Sequence, residues 1–329
     1  MFFLETLVVF KVWSELYINH IVNKIYQTTI AKIATFTGIG LHSGKKSKIK
    51  ILPADADTGI VFKRVDLKDK NFVKANFKNV TSAKLCTTIE NEYGIKVSTV
   101  EHLLAAFFIA EIDNALVEID NEEVPIMDGS AKNFLEIIRE KGINDLSKKR
   151  KYLKVFKNIE LRDGSKNISI EPNDGSFEVD FQLNYTNPII GKQKNFVDFN
   201  KSNLEIISNS RTFCLREDIE KIKKMGLAKG GSLDNAIVVD ESRVLNNGGL
   251  RNEKEFVNHK ILDLAGDFML SGYRVLGSVK CYQGGHLLTN KFLKKIFQDL
   301  SLFEIFSFKD FKIQKKITNF SSDRIVVNA

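Results

Sequence analysis

The sequence predicts an α+β fold made of two successive units of similar make-up, and three observations carry that expectation. Stretches in which apolar and polar residues alternate recur around 30–36, 46–52 and 58–64, the period of half-buried strands. Helices are expected from about Thr99 to Ala110 and at about 130–141, with a strand at 114–120 between them. Beyond the polar, charged segment 141–151 (KGINDLSKKRK), which reads as an interdomain linker, the same alternation resumes. Strands then fall near 152–160, 166–171, 176–184 and 274–281, and helices near 215–225 and 253–271. No clean sequence repeat relates the two units. The expected organisation is an extension over 1–27, domains over 28–147 and 148–311, and a loosely attached tail over 312–329.

A chain of 329 residues is long enough for two domains that each bury a core. With 43% hydrophobic and 27% charged residues it falls among soluble globular proteins rather than disordered ones. Cys86, Cys214 and Cys281 are scattered, odd in number and never in a C-x-x-C pair. That argues for a reducing compartment, the cytoplasm, and against a disulfide framework or a thiolate metal site. The net charge of +8 fits either a Lys-rich solvated surface or attraction of an anionic substrate such as a nucleotide diphosphate. Nucleic acid is not an expected partner, because the Lys residues are spread and no nucleic-acid-binding signature accompanies them.

The apolar run from Phe2 to Val12 contains Glu5 and Lys11, so it is too short and interrupted to span a bilayer. It also lacks the leading positive charge and cleavage site of a signal peptide. On a helix Leu4, Val8, Val12, Leu16, Tyr17 and Ile21 would line one face, a pattern compatible with peripheral membrane contact without stable insertion. A later, non-Met translation start is the alternative, since the next Met after Met1 is Met127.

Five histidines exist, and His20 lies in the extension. His259 opens HKILDLAGD, where His259, Asp263 and Asp267 fall at i, i+4 and i+8 on one helical face that Phe256 and Leu270 continue. An inward-facing His with two carboxylates is costly to desolvate without a cation or tight pairing, and a His and a carboxylate one turn apart can chelate a divalent ion. The competing reading is a partly exposed helix with ordinary charges. His102 lies in STVEHLLAAF, where Ser98 and Glu101 match the capping box S-x-x-E. Either Glu101 closes that box, or His102 is a third ligand with Glu101 beside it as general base. Two His and one Asp leave a coordination position open, as catalytic zinc sites do, and iron suits the same set. His286, in YQGGHLLTN, would stay protonated beside an ionised Asp267, or else is a surface loop residue. His42, in TGIGLHSG, lies on a Gly-rich turn that is not a P-loop.

Together these segments resemble one family, the UDP-3-O-acyl-N-acetylglucosamine deacetylases of lipid A synthesis. The likeness runs from about Thr28 to about Leu300 through seven ordered motifs: TGIGLHSG (37–44), STVEHLLAAF (98–107), VPIMDGSA (124–131), SRTFCL (210–215), GLAKGGSLDNAIVVD (226–240), HKILDLAGD (259–267) and GGHLLTN (284–290). The resemblance implies two similar domains, each a β-sheet packed with helices as a β-α-α-β two-layer sandwich, with the active site between them. It implies zinc on His102, His259 and Asp263, where the donor chemistry alone also admits Fe2+, with Glu101 as the base that activates the zinc-bound water. Thr212 would donate to the developing oxyanion, and His286, held charged by Asp267, would stabilise it and protonate the leaving amine. Lys260 would face the substrate's phosphates and Phe213 would pack on its sugar or uridine, while Leu41, His42 and Gly231 complete the implied substrate contacts.

An acyl-chain insert would fall at about 213–240, offering Leu215, Ile219, Ile222, Met225, Leu227 and Leu233, with Gly230 and Gly231 leaving room for the chain. For each of these apolar residues ordinary packing is the plainer reading. Cys214 stands where the family pattern suggests a small residue such as Gly. The implied reaction is hydrolysis of the acetamide of UDP-3-O-acyl-N-acetylglucosamine to UDP-3-O-acyl-glucosamine and acetate, the committed step of lipid A biosynthesis, by a monomer. The alternatives are a deacetylase of another N-acetylated sugar nucleotide and an inactive metal-binding regulatory homologue.

Overall fold

The computed structural model describes residues 25–308; the readings made for residues 1–24, His20 included, and for the tail 312–329 lie outside the described residues. The architecture is α+β. A five-stranded sheet occupies the first half, in the order Ala34–Ile39, Lys46–Leu52, Ala115–Ile119, Ile60–Arg64, Phe72–Lys74. Its neighbours are antiparallel except Ala115–Ile119 and Ile60–Arg64, which run parallel. Alternation sets its buried face: Ile49 and Ile51 are fully buried, while Lys48 and Lys50 point to solvent. Helix α1 (Glu101–Ile109) and helix α2 (Lys132–Lys141) complete this half, and Phe134 of α2 meets Phe36 of the sheet edge-to-face at 5.0 Å.

The second half holds a seven-stranded sheet around the long strand Arg274–Tyr282. That strand pairs in parallel with Tyr152–Val155 and Phe177–Asn184, and antiparallel with Lys166–Glu171. Helix α3 (Leu204–Ser208) precedes a small parallel unit, in which Phe213–Leu215 pairs with Ile237–Val239 and helix α4 (Arg216–Lys224) lies between them in sequence. Helix α5 (Glu255–Met269) packs on Phe177–Asn184 and Lys192–Asp198, and helix α6 (His286–Gln298) packs on Ile159–Asp163 and Lys166–Glu171. Among the described residues no helix is long and apolar enough to cross a membrane.

Several boundaries differ from the sequence reading. The charged segment 141–151 is not a linker but mostly a strand, Ile143–Lys149, paired antiparallel with Tyr26–Ile30. It has no buried face, so its sequence carries no apolar alternation, and backbone pairing defines it. The extension therefore gives way to the fold two residues before Thr28, and Gln27 is already buried, accepting from the Asn114 amide at 3.0 Å. The expected strand at 30–36 is broken into Tyr26–Ile30 and Ala34–Ile39, and the one at 152–160 into Tyr152–Val155 and Ile159–Asp163. Helix α6 and the strands Lys192–Asp198 and Phe303–Phe306 are additional to the sequence reading.

The two halves meet through α1 and α5, which cross at Gly266. A Cβ there would overlap the Glu101 carbonyl oxygen and lie 3.1 Å from the Ala105 nitrogen. At the C-terminal end of α1 Arg274 donates to the carbonyls of Phe108 (2.7 Å) and Phe107 (3.3 Å), and just past it to that of Ile112 (3.1 Å), adding side-chain donors where the helix's own bonds run out. Asp113 ties the same corner together, accepting from Arg150 Nε at 2.9 Å and from Arg274 Nε at 3.2 Å. Gly266→Ala should push α1 off α5: we expect about 1–3 kcal/mol of destabilisation by thermal or chemical unfolding, from overpacking against rigid backbone.

Candidate active site

The crossing at Gly266 brings chemistry from both helices to one place. Glu101 and His102 lead off α1, while His259, Asp263 and Asp267 follow one another up α5; all five are buried. Glu101 does not close a capping box. Ser98 donates instead to the Glu122 carbonyl, Val100 is the N-cap, and Glu101 Oε2 accepts the Thr87 amide at 3.0 Å. The carboxylate is thereby turned inward.

His102 Nε2 lies 3.5 Å and His259 Nε2 3.3 Å from Asp263 Oδ1, and one donor atom from each of the three residues lies within 4.8 Å of the others. Both separations are close to the ~3.4 Å edge between donors held tetrahedrally about 2.1 Å from a cation. His259 Nδ1 donates to the Ser210 carbonyl at 3.1 Å. Burial holds this imidazole neutral, with its pKa lowered to about 3, so a lone pair on Nε2 faces the carboxylate oxygen. Asp263 Oδ1 is buried and has no hydrogen-bond partner among the described residues. Two acceptors aimed at each other repel unless a cation lies between them, so the three residues fit a metal ion.

Around this triad the charges are paired. Lys260 donates to Asp263 Oδ2 at 2.8 Å and lies 5.6 Å over the Phe213 ring. Burial opposes ionisation of Asp263, but the Lys260 ammonium and the His286 imidazolium act against it, and the carboxyl lies well below the usual range. Burial pushes the Glu101 carboxyl up, with His286 and His102 acting against that rise. His286 is no surface loop residue. It is the buried first residue of α6, with Nδ1 at 2.8 Å from Asp267 Oδ2 and Nε2 at 3.7 Å from Glu101 Oε1. Burial alone would lower its pKa, but Asp267, Glu101 and Asp263 together raise it to about 10. Thr87 completes the arrangement: its hydroxyl donates to Asp267 Oδ1 at 2.7 Å.

These groups open into a cleft of about 310 Å³, lined also by Leu41, His42, Thr212, Phe213 and Leu215. Lys84, Lys166 and Lys260 lie along it. A more apolar cavity of about 490 Å³ shares Leu41, His42, Thr212, Phe213, Cys214 and Ile222 with the cleft and continues between Ile219, Gly231, Leu233 and Val238. Ile219, Ile222 and Leu233 line it, and Leu215 lines the cleft instead. Met225 and Leu227 lie on neither wall, because they follow the end of α4; Met225 is 44% exposed, with Lys84 Nζ 3.7 Å from its sulfur. Gly230 is small for another reason: a Cβ there would overlap the Gly40 carbonyl oxygen. Thr87, outside every motif that the sequence offers, is missed by the sequence reading: its hydroxyl acts on Asp267, 180 positions away.

Residues 27–298 match the family described as UDP-3-O-acyl N-acetylglycosamine deacetylase. The chain belongs to this family. It is similar to the UDP-3-O-acyl-N-acetylglucosamine deacetylase of Shewanella frigidimarina, 42% identical over 287 residues that cover 86% of this chain and 94% of that protein. The proteins of the same name from Glaesserella parasuis and Histophilus somni are 39% and 42% identical over 289 residues, covering 87% of this chain and 94% of each relative. Membership makes the chain an enzyme, a hydrolase acting on an amide.

A group with a raised pKa keeps its proton through neutral pH and loses it as pH rises through that value. In metal-free protein, NMR titration should therefore show the His286 imidazolium persisting past pH 8, with its midpoint near 10. Asp267→Asn removes the largest of the charges holding the proton, so it should move the midpoint down towards the ordinary 6.5.

Proposed function

We propose that this enzyme hydrolyses the acetamide of UDP-3-O-acyl-N-acetylglucosamine, releasing acetate and UDP-3-O-acyl-glucosamine, with a divalent cation, zinc first, held by His102, His259 and Asp263. The observation that carries the reading is the unpartnered Asp263 oxygen facing two imidazoles, beside Glu101, in a cleft that runs on into an apolar cavity. When bound, the cation supplies Lewis acidity, making hydroxide available near neutral pH and polarising the amide carbonyl. Fe2+ satisfies the same donor set.

The protein's own groups do the rest. Glu101, with its pKa pushed up by burial, takes a proton from the attacking water, the task of a general base poised nearer neutrality. His286, kept charged by Asp267, lies 3.7 Å from Glu101. It stabilises the developing oxyanion and gives its proton to the leaving amine. The Thr212 hydroxyl, on the cleft wall, donates to the same oxyanion. Lys260, with Lys84 and Lys166 along the cleft, offsets the charge of a diphosphate, and Phe213 packs against the sugar or uridine. The apolar cavity takes the acyl chain.

That cavity favours an acylated substrate over a deacetylase reading for plain N-acetylated sugar nucleotides. The full set of Glu101, Thr212, Asp267 and His286 beside the three donors speaks against an inactive regulator. In the same reading the enzyme performs the committed step of lipid A biosynthesis, as a cytoplasmic monomer of two domains. Its three free cysteines accord with that compartment.

Glu101→Ala should lower the rate of acetate release by about 10²-fold or more with metal content unchanged, measured by coupled assay and elemental analysis. His259→Ala should lose both metal and activity. A pure, metal-loaded protein that binds the acylated UDP-sugar and never releases acetate overturns the reading. Equal kcat/KM for acylated and unacylated UDP-N-acetylglucosamine points to the wider substrate class.

A further inference from the structure

We propose that Glu123 is a positioning residue, which locks the turn carrying His42, and with it the junction of cleft and apolar cavity, to the start of α1. The inference deepens the deacetylase reading and rests on it. Glu123 is 1% exposed and makes no ion pair among the described residues. Its carboxylate is satisfied instead by three donors: the His42 amide to Oε1 at 2.8 Å, the Ser43 amide to Oε2 at 2.7 Å, and the Thr99 hydroxyl to Oε1 at 2.9 Å. A buried carboxylate persists only where such donors replace water, so the three are held as firmly as the carboxylate is buried.

The donors come from two places that matter. Thr99, with φ of 55°, stands two residues before Glu101. The turn at 40–44 is closed by the Gly44 amide on the Gly40 carbonyl at 3.0 Å, and a Cβ on Gly40 would overlap the Glu123 carboxylate. On its other side the turn anchors the loop after α4: the Gly230 amide donates to the Leu41 carbonyl at 3.0 Å, and the Lys229 amide to the His42 carbonyl at 3.3 Å. The Ala228 amide lies 3.4 Å from His42 Nδ1 and donates to it. The ring hydrogen of His42 therefore sits on Nε2, which is buried without a partner among the described residues. His42 lines both cavities, so its imidazole stands where they join, the place at which the proposed reading puts the link between acyl chain and sugar. Glu123 acts on substrate recognition through His42 and touches no reacting atom.

Glu123→Gln keeps the side-chain volume but sets an amide N–H₂ against one of the donors. Hydrogen exchange at the His42 and Ser43 amides should accelerate by about tenfold or more, while Leu104 and Phe107 within α1 keep their protection. KM for the acylated UDP-sugar should rise about tenfold with kcat within about threefold, the loss of one hydrogen bond to a charged group. In a His42→Ala background the same substitution should add less than about twofold. Unchanged exchange, a fall in kcat alone, or a KM penalty undiminished by His42→Ala overturns the proposal. Glu123→Asp runs through the same cycle and decides between these outcomes if the Gln variant does not fold. The exchange arm needs no substrate: a wild type inert towards the acylated UDP-sugar refutes the deacetylase reading and leaves Glu123 to be judged on exchange.

Discussion

The close approach of α1 and α5 at Gly266 is the constraint on which the rest of the structure depends. Glu101 and His102 lie in the first turn of a helix of nine residues, and His259, Asp263 and Asp267 lie along one of fifteen. Neither helix alone gathers a metal site with a base beside it. Only where the backbone of one rests on the backbone of the other do the Glu101 carbonyl and Gly266 touch, with Asp263 and Asp267 on either side. A short helix held at one end by a contact that tight needs its other end fixed too. Arg274, from the central strand of the second sheet, does this at the carbonyls of Phe107, Phe108 and Ile112. The second half thus grips α1 at both ends.

Gathering these groups also gathers charge among side chains that are mostly buried. Two cations, Lys260 and the imidazolium of His286, face three carboxylates, Glu101, Asp263 and Asp267, while His259 is neutral. With all three carboxylates ionised the set carries one negative charge in excess. Burial resists that excess, and the site yields at Glu101, whose pKa rises, rather than at Asp263, whose pKa falls. The difference follows from neighbours: Lys260 donates directly to Asp263, whereas the Thr87 amide and a histidine at 3.7 Å serve Glu101. One carboxylate is thereby fitted to hold a cation and the other to carry a proton.

What the sequence made legible followed from local periodicity. His259, Asp263 and Asp267 are one turn apart, so any helix over them lines them up, and their burial could be inferred from Phe256 and Leu270 at the ends of the stripe. The ordered motifs added His102, Glu101 and His286 to that line. Failures came where structure rests on backbone groups or on distant partners. Ile143–Lys149 is a strand without an apolar face, so its charged sequence reads as a linker. Ser98 and Glu101 have capping-box spacing, yet strand pairing at Ser98 and the Thr87 amide draw both elsewhere. Glu123, one of two adjacent glutamates, gives no local sign that it is buried while Glu122 stays in solvent beside Lys45.

Under the proposed function, recognition and chemistry are coupled through the residues that the two cavities share. Phe213 lines both, its ring 6.4 Å from that of His259, 4.9 Å from that of Phe256 and beneath the Lys260 ammonium. Burying an acyl chain yields about 0.8 kcal/mol per methylene, more than a cleft needs for affinity alone. Part of that energy can hold the sugar in place against the triad, which is how remote binding raises kcat rather than only lowering KM. Such coupling requires walls that do not give way when the chain enters. Phe213 is braced by Phe256 and Tyr185 on one side of the junction, and His42 by Glu123 and the Gly230 loop on the other. The junction is therefore braced on both sides, and on the proposed reading an acyl chain seated in the cavity would set where the sugar stands relative to Asp263.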